Sequence, residues 1–538
     1  MKKSISFAAD IYKMKKICKK MKIKHFFLIA IMLVCGSLNA QDHYVNPGNY
    51  EDNMVVWAKV YIDGQEQQSN NVIEIGAFNG EAVTASSYVQ YYNNKYYLVS
   101  LTIGGNSDDN YNVTFKLFDH QNSQEMLYYT ISNSNGDPVD AIAWAGGTML
   151  GKPKTPYVLN FQHTNTLHVN AYTEKGNWYL ISSPLATSVA PTAVENMIPA
   201  NPAEQGYDLF YFDQNETKEW QTYKAGGAHA GFDLVPGKGY LYANSQNVDL
   251  VFAGAPYTES SLNVTITNAG EGHNSAGWNL IGNPYASAAT VTESNYYVMN
   301  EYGTDFVAAS GNVPAMNGIL VYTSETKTVT FAPATGKEED DSEMITLNLN
   351  RENGDLLDRL VVRMGEGGTL PKYVLNANNA HISAVMNGAE YAVVNGTNAF
   401  MIPVNFNADK MGRFTLGIDV KRAAMDYLHL IDKLTGDDID LLLEGSYTFA
   451  GTTSDMNDRF ILRLRYSGYD GIEEIFAYQS GSDIVVTGEG TLQVFDVMGR
   501  YLSSHEINGV QTIEALPMGV YILRMVGDGI KTQKIVVR

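Results

Sequence analysis

The chain has 538 residues, of which 58 are acidic and 37 are basic, and its net charge is −21 at neutral pH. A protein this acidic repels the phosphates of nucleic acids, so we exclude nucleic acid as a partner. Glycine (48 residues) and tyrosine (35 residues) are abundant, and apolar residues alternate with polar ones between clusters of turn-forming residues. This pattern predicts an all-β protein, built as a string of β-sandwich-like domains.

The N-terminus predicts a secretory signal peptide, with an extended lysine-rich start, over residues 1–40. Lysines precede an apolar stretch that begins at Phe26, and small residues follow up to Ala40. This stretch is too short to span a bilayer, and no later apolar run reaches the length of a membrane-spanning helix. We expect cleavage between Ala40 and Gln41. Lipidation at Cys35 is the alternative, and the bulky residue before this cysteine disfavours it.

Removal of the leader changes the chemistry that is open to the mature chain. Both cysteines, Cys18 and Cys35, leave with it, so no disulfide or thiolate chemistry remains. The mature chain keeps 28 basic and 57 acidic residues, a net charge of −29. Many side-chain oxygens suit calcium by composition alone, but no EF-hand spacing is present, and we assign no cofactor.

Turn clusters and an internal repeat divide the chain after the signal peptide (1–40). We predict an N-terminal β-sandwich (41–163), two copies of a β-repeat (164–257 and 258–335), a further β-sandwich (336–468) and a small C-terminal β-sandwich (469–538). The acidic run at 338–343 marks the boundary after the second repeat. Only two short segments favour a helix, 192–197 and 380–386.

The two repeats share two sequence matches. Residues 167–186 align with 262–286, and residues 237–255 align with 316–334. Two copies are too few for a solenoid or a propeller, so we expect two related units packed side by side. Trp178 and Trp278 occupy the same position in the two copies, between apolar neighbours, and we predict that both belong to the core.

Four aromatic side chains are the candidates for ligand binding. Trp220 follows a polar run and precedes a Gly-rich loop, with Tyr223 close to it. Tyr91 and Tyr92 lie in a tyrosine-rich stretch of the N-terminal sandwich, where they can form a platform for sugar rings. Ordinary packing between neighbouring strands is the alternative for these tyrosines.

The sequence contains no recognisable catalytic motif. It has no HExxH zinc motif and no GxSxG nucleophile elbow, and the mature chain has no cysteine for a Cys-His pair. We therefore predict no catalytic residues and no metal site. Glycoside hydrolysis needs only two carboxylates in a cleft, so a secreted glycan-degrading enzyme, or its non-catalytic accessory, stays open as an alternative.

The last segment ends with three short motifs. They are VFDVMGR at 494–500, GVYILR at 519–524 and KIVVR at 534–538. Gly499 predicts a tight turn between two strands, because glycine accepts a positive φ without strain. In their order and their place at the C-terminus, the three motifs resemble the A-type C-terminal sorting domain of the type IX secretion system.

This resemblance implies a route and a set of partners. It implies passage across the outer membrane of a Gram-negative bacterium after Sec export, with the type IX machinery and its sorting peptidase as partners. The tail is then cut off, and the passenger is linked to surface lipopolysaccharide or released. The matching positions are Asp496, Gly499, Arg500, Gly519, Tyr521, Arg524 and Lys534.

The sequence as a whole predicts an exported protein with a binding function. The repeat motifs GNWYLISSP and GWNLIGNPYAS also resemble those of uncharacterised surface proteins that carry this tail. We expect an adhesin-like protein of the cell surface or the medium that binds glycans or host glycoproteins. A structural surface component without a small ligand is a further alternative.

Overall fold

The computed structural model describes residues 42–46, 48–173, 176–199, 206–224, 231–336, 343–364, 368–396, 401–455, 457–466, 476–480, 483–513 and 516–537. The predicted signal peptide, Ala40 and Gln41 lie outside these residues, as does most of the acidic run at 338–343. The described chain is nearly all β, as predicted, and consists of many separate sheets. It divides into two compact units, residues 1–163 and 164–538.

The N-terminal unit consists of two sheets that share one hydrophobic core. Its strands are β1 (Asp52–Ile62), β2 (Gln65–Glu66), β3 (Ile73–Asn79), β4 (Ala82–Tyr88), β5 (Gln90–Tyr92), β6 (Tyr96–Gly105), β7 (Asn112–Asp119), β8 (Gln124–Met126), β9 (Tyr128–Ser132), β10 (Pro138–Val139), β11 (Ile142–Ala143), β12 (Met149–Leu150) and β13 (Tyr157–Gln162). The first sheet has the order β10-β9-β13-β1-β6-β5, and the second has the order β11-β7-β3-β4. Alternate residues of β1, such as Val56 and Val60, are buried between them.

The first repeat consists of a strand pair and a four-stranded sheet. Its strands are β14 (Thr164–Val169), β15 (Tyr179–Ser182), β16 (Tyr207–Phe212), β17 (Trp220–Thr222), β18 (Gly239–Asn244) and β19 (Val248–Ala253). The first and last strands, β14 and β19, pair with each other, and the others form the sheet β15-β18-β16-β17. In place of the helix predicted at 192–197, the chain forms only a 3-10 turn at Pro191–Ala193 and returns to extended backbone at Val194, because the main chain of Glu195 pairs with Val251 of β19.

The second repeat has the same topology. Its strands are β20 (Leu262–Ile266), β21 (Trp278–Gly282), β22 (Ala289–Val291), β23 (Tyr296–Met299), β24 (Phe306–Ala309), β25 (Gly318–Tyr322) and β26 (Lys327–Pro333). The first and last strands again pair, with β22 added, and the sheet β21-β25-β23-β24 repeats the order of the first copy. The shared order of strands supports the repeat that the sequence predicted.

The two repeats pack against each other in a reciprocal way. The Ser182 amide donates to the Met316 carbonyl at 2.8 Å, and the Gly282 amide, at the equivalent position of the second copy, donates to the Gly237 carbonyl at 2.9 Å. The isolated bridges Ile181–Asn317 and Lys238–Ile281 show the same exchange. Each copy therefore offers the same surface to the other, as the subunits of a two-fold symmetric dimer do.

The segment that follows the repeats forms one curled sheet around its own core. Its elements are β27 (Met344–Arg351), β28 (Leu356–Arg363), β29 (Leu370–Pro371), β30 (His381–Met386), β31 (Ala389–Asn395), β32 (Met401–Asn407), β33 (Gly412–Lys421), β34 (Met425–Asp432), β35 (Asp437–Asp440), α1 (Leu441–Glu444), β36 (Ser446–Gly451) and β37 (Phe460–Tyr466). The strand order is β35-β34-β37-β32-β30-β31-β28-β27-β33-β36. The helix predicted at 380–386 is wrong, since β30 lies between β31 and β32 and buries Ile382 and Ala384.

The C-terminal segment is a single five-stranded sheet in the described residues. Its strands are β38 (Ala477–Ser480), β39 (Asp483–Asp496), β40 (Tyr501–Ile513), β41 (Gly519–Val526) and β42 (Ile530–Val537). The order is β38-β39-β41-β42, with β40 on the other side of β39. One face buries a core that includes Leu492, Val494 and Leu523. At one end of the sheet, Val485 packs on Ile431 of the preceding segment.

Candidate functional site

The predicted tyrosines Tyr91 and Tyr92 lie on a tight hairpin between β5 and β6. Asn93 and Asn94 hold positive φ angles of 49° and 53° at its turn, and the Lys95 amide donates to the Tyr92 carbonyl at 3.1 Å. Two residues with positive φ form the turn that best fits the twist of paired strands, and asparagine tolerates this conformation. The hairpin leaves Tyr91 44% and Tyr92 36% exposed.

The hairpin places Tyr92 next to a tryptophan that the sequence analysis did not select. The rings of Trp57 and Tyr92 are 5.0 Å apart and meet edge to face. Trp57 lies on the outward side of β1, opposite Ser100 of β6, and is half-buried. On the neighbouring side, Tyr91 contacts the ring of Tyr97 at 4.9 Å. The alternation of apolar and amphipathic residues in β1 was the signal that placed Trp57 on an outward face.

An ion pair lies beside these rings. Lys59 Nζ is 2.9 Å from Glu66 Oε1, and both side chains are about three-quarters buried, with 27% and 23% exposed. The hydrogen bond from Lys59 to Glu66 raises the pKa of this lysine, as does the proximity of Tyr61 and Tyr96. The ammonium group is therefore fixed on the same side of β1 as Trp57.

We name the outward side chains Trp57, Lys59, Tyr61, Tyr92 and Tyr96 the aromatic face. Aromatic rings present large rigid apolar surfaces, and the phenol and indole groups keep a polar edge. Such a surface can pack against the C–H face of a sugar ring while Lys59 and the tyrosine hydroxyls donate to its oxygens. The adjacent carboxylate, Glu66, is held by Lys59. The arrangement therefore suits binding better than acid–base hydrolysis, which needs two free carboxyl groups.

The structure separates the other predicted ligand-binding pair. Trp220 is half-buried and contacts Phe212 at 5.1 Å and Phe306 at 6.2 Å. Tyr223 packs instead on Phe232, with ring centroids 5.3 Å apart, in a different hydrophobic cluster. Residues three apart on an extended segment point to opposite faces, so the two side chains do not form one site.

The two repeat tryptophans differ in their surroundings. Trp278 is only 6% exposed, and the rings of Tyr322 and Tyr373 lie 5.2 and 5.0 Å from it. Trp178 belongs to the same hydrophobic cluster but is half-buried. The predicted core role therefore describes Trp278 fully and Trp178 only in part.

Three of the C-terminal motif residues form the hairpin between β39 and β40. Asp496 Oδ1 accepts hydrogen bonds from the Met498 and Arg500 amides at 2.9 Å each, and Oδ2 accepts one from Arg500 Nε. The Arg500 amide, followed by its side chain and the Met498 amide, lowers the pKa of Asp496. Gly499 has a φ of 78°, as the predicted turn requires.

The remaining motif residues divide between the core and the surface of the C-terminal sheet. Tyr521 is 8% exposed and its hydroxyl donates to the Pro517 carbonyl at 2.7 Å. Gly519 leaves room for this ring, since an added Cβ would lie 3.3 Å from the tyrosine oxygen. Arg524 and Lys534 lie on the opposite, outward side of the sheet. Of these four residues, Arg524 and Lys534 present charged side chains to a partner.

Within the described ranges, no three His, Cys, Asp or Glu side chains are close enough together to hold a metal ion. No helix in this part of the chain has the length and hydrophobicity of a membrane span.

Comparisons with known proteins add little to this geometry. No protein-family model and no curated protein matches the chain. Among solved structures, the BSP domain of a biofilm-associated protein is 9% identical, with a TM-score of 0.13, over 94% of this chain and 98% of that one. The Bacillus anthracis TIE protein is 8% identical, with a TM-score of 0.09, over 91% and 73%. The E. coli alpha-2-macroglobulin is 9% identical, with a TM-score of 0.10, over 92% and 47%. Similarity at this level carries no inference about fold or function.

Proposed function

We propose that this chain is an exported binding protein whose aromatic face recognises glycans. The observation that carries the proposal is the contact of Trp57 with the exposed Tyr92 beside the Lys59–Glu66 ion pair. Exposed aromatic rings next to fixed polar groups are typical of recognition surfaces. The high acidity of the chain favours neutral or basic glycans over sulfated ones, because like charges repel.

A glycan array with the mature chain tests this proposal. Loss of one stacking ring removes about 1 kcal/mol beyond the lost buried area, so Tyr92→Ala should weaken binding of a glycan hit about fivefold to tenfold. Tyr128→Ala is the matched control, since Tyr128 is also 36% exposed and lies on β9 of the same sheet, which β13 separates from β1. Equal losses in the two variants would contradict the proposal.

The same experiment separates binding from turnover. Incubation of the hit glycan with the mature chain should release no new reducing ends. Release of reducing ends would instead favour the glycan-degrading alternative, and the pair of carboxyl groups responsible would then have to lie elsewhere. An array without any hit would favour the structural surface component.

We further propose that residues 469–538 are a type IX sorting tail that delivers this binding unit to the cell surface or the medium. The resemblance of the three motifs supports the proposal, and the outward position of Arg524 and Lys534 supplies side chains for recognition. A reporter with a signal peptide at its N-terminus and residues 469–538 at its C-terminus should reach the medium or the surface of a bacterium that has this system. Replacement of both cations by alanine should retain it in the periplasm, whereas Thr532→Ala, on the same face, should not. Export of the double variant at the normal level would contradict the assigned role of the two cations.

A further inference from the structure

The hairpin of the first repeat holds the second repeat through one side chain. Gln214, between β16 and β17, is 5% exposed. Its Oε1 accepts hydrogen bonds from the Gly277 amide at 2.7 Å and the Ala269 amide at 2.9 Å, and its Nε2 donates to the Thr267 carbonyl at 2.9 Å. The loop that leads into Trp278 is therefore fixed by a buried amide from the other copy.

The hairpin of the second repeat holds the first in a different way. Here the carbonyls of Tyr302 and Gly303 accept from the Asn177 and Trp178 amides, at 2.7 and 3.1 Å. In the second repeat, main-chain carbonyls thus take the place of the Gln214 side chain as hydrogen-bond acceptors.

Because the main chain makes this contact in the second repeat, the Glu301 side chain is not needed for it. Phe210 pairs with Leu241, and Tyr297 pairs with Leu320, the equivalent residue of the second repeat. Phe210 and Tyr297 therefore occupy equivalent positions. Gln214 and Glu301, each four residues further along the chain, are counterparts. Glu301 is exposed, and its carboxylate makes no hydrogen bond or ion pair with another described residue. A glutamine that fixes a loop in one copy is therefore matched by a free carboxylate in the other.

Glu301 lines a cavity beside Trp178. The cavity has a volume of about 260 Å³, and its walls include Asn177, Trp178, Leu180, Met299, Glu301 and Asn317. This volume is below the range of drug-sized pockets, so it suits one side chain or one small ring. At Trp278 the ring of Tyr373 lies 5.0 Å away and helps to cover the indole. The Trp178 indole contacts the rings of Tyr172 at 5.7 Å and Phe210 at 6.0 Å, but neither residue is a wall of the cavity.

The polar groups of this cavity include one negative charge. Asn177 and Asn317 each direct one amide N–H to a main-chain carbonyl, of Ala171 at 2.6 Å and of Ala315 at 2.8 Å. They offer carbonyl oxygens, and Glu301 offers a carboxylate. The carboxylate favours a ligand that donates hydrogen bonds and carries positive charge, and the indole of Trp178 favours a cation over its face.

We propose that this cavity binds one basic side chain of a protein partner, an arginine in the first instance. The apolar walls formed by Leu180 and Met299 accept the methylene stem, the indole stacks on the guanidinium, and Glu301 pairs with it. The net charge of −21 attracts a basic partner over a longer distance. The site is distinct from the aromatic face and lies in the other compact unit.

Titration calorimetry of the mature chain with the peptide acetyl-Gly-Arg-Gly-amide tests the proposal. The neutral isostere with citrulline in place of arginine should bind at least about fivefold more weakly, as loss of a cation–π contact and an ion pair requires. Glu301→Gln should lower the affinity for the arginine peptide by roughly twofold to fivefold and leave the citrulline peptide unaffected. Glu325→Gln, at an exposed position of the same repeat, is the matched control and should change neither.

The outcomes are distinguishable. Equal affinity for the arginine and citrulline peptides, or an arginine affinity that Glu301→Gln does not lower, overturns the proposal. Binding of methyl glucoside at the same site, with no binding of the arginine peptide, also overturns it and assigns the cavity to a sugar. Trp178→Leu supports the proposal if it lowers the affinity for arginine while near-ultraviolet circular dichroism shows an intact fold.

Discussion

The stability of the segment from β27 to β37 should depend on one buried ion pair. Asp432 and Arg459 are 0% and 1% exposed. The Asp432 carboxylate accepts from Arg459 Nε at 3.0 Å and Nη2 at 2.6 Å, and from the Tyr447 hydroxyl at 3.1 Å. The guanidinium lies over the rings of Phe449 and Phe460, at 4.5 and 5.1 Å.

Asp432→Asn removes the charge but keeps the size of the side chain. Among the described residues, Arg459 then retains only the Asp455 carboxylate, 2.7 Å from Nη1, as a charged partner. Loss of one member of a buried pair costs about 3 to 5 kcal/mol, because the remaining charge stays desolvated. Since Asp455 still compensates part of the charge, we expect about 3 kcal/mol, at the lower end of that range.

Hydrogen exchange followed by mass spectrometry measures this effect where it occurs. Peptides from β34 and β37 should lose protection in Asp432→Asn, while peptides from the N-terminal unit stay unchanged. Asp438→Asn is the control: Asp438 pairs with His429 at 2.7 Å, is 49% exposed, and should cost at most about 1 kcal/mol. A loss below about 1 kcal/mol in Asp432→Asn would refute the reasoning, since the pair would then be no more important than an exposed one.

Three further predictions concern the repeats and the tail. In Gly282→Ala the new methyl group would lie 2.4 Å from Ser182 Oγ, so chemical denaturation should show a loss of about 1 to 3 kcal/mol. Adding Ser182→Gly to this variant should restore part of the lost stability. If the effects of the two substitutions simply add, the two side chains do not compete for the same space. Asp249 raises the pKa of His168 by a hydrogen bond, so Asp249→Asn should lower this pKa in an NMR titration; an unchanged value would exclude the pair. The stabilisation from this pair is complete below the ordinary histidine pKa and is lost as pH rises through the raised one. For Asp496, whose pKa is lowered, protection of the hairpin amides should persist at pH 4 and be lost only as pH falls through the lowered pKa, and earlier loss would contradict the assigned hydrogen bonds.

The sequence predicts those features that depend on near neighbours along the chain. Period-two alternation indicated the strands, and the same alternation of buried and half-buried residues along β1 carries the outward position of Trp57. The positive φ of Gly499 followed from the need for a tight turn. The matching topology of the two repeats followed from two aligned stretches, because similar sequences place strands and turns in the same order.

Features that depend on distant partners could not be predicted in this way. The apolar run at 380–386 is too short to distinguish a helix from a buried strand, and its place between β31 and β32 decides the outcome. The contact between Trp57 and Tyr92 requires knowledge of how the β5–β6 hairpin lies on β1. Trp178 and Trp278 have like neighbours in sequence, yet only Trp278 is covered by Tyr373 from a later segment.

The paired repeats show which residues of a duplicated unit can change while the interface between the two copies is kept. Both copies must keep the strands that exchange hydrogen bonds at Ser182 and Gly282, since each contact serves both sides of the interface. The hairpin contacts are less constrained, because a main-chain carbonyl can replace a side-chain amide as the acceptor. The second copy uses its main chain at Tyr302 and Gly303, and Glu301 is thereby free of a structural task. Glu301 stabilises no part of the fold and lines the cavity beside Trp178. It is therefore a position at which the second copy can diverge from the first and acquire a binding function.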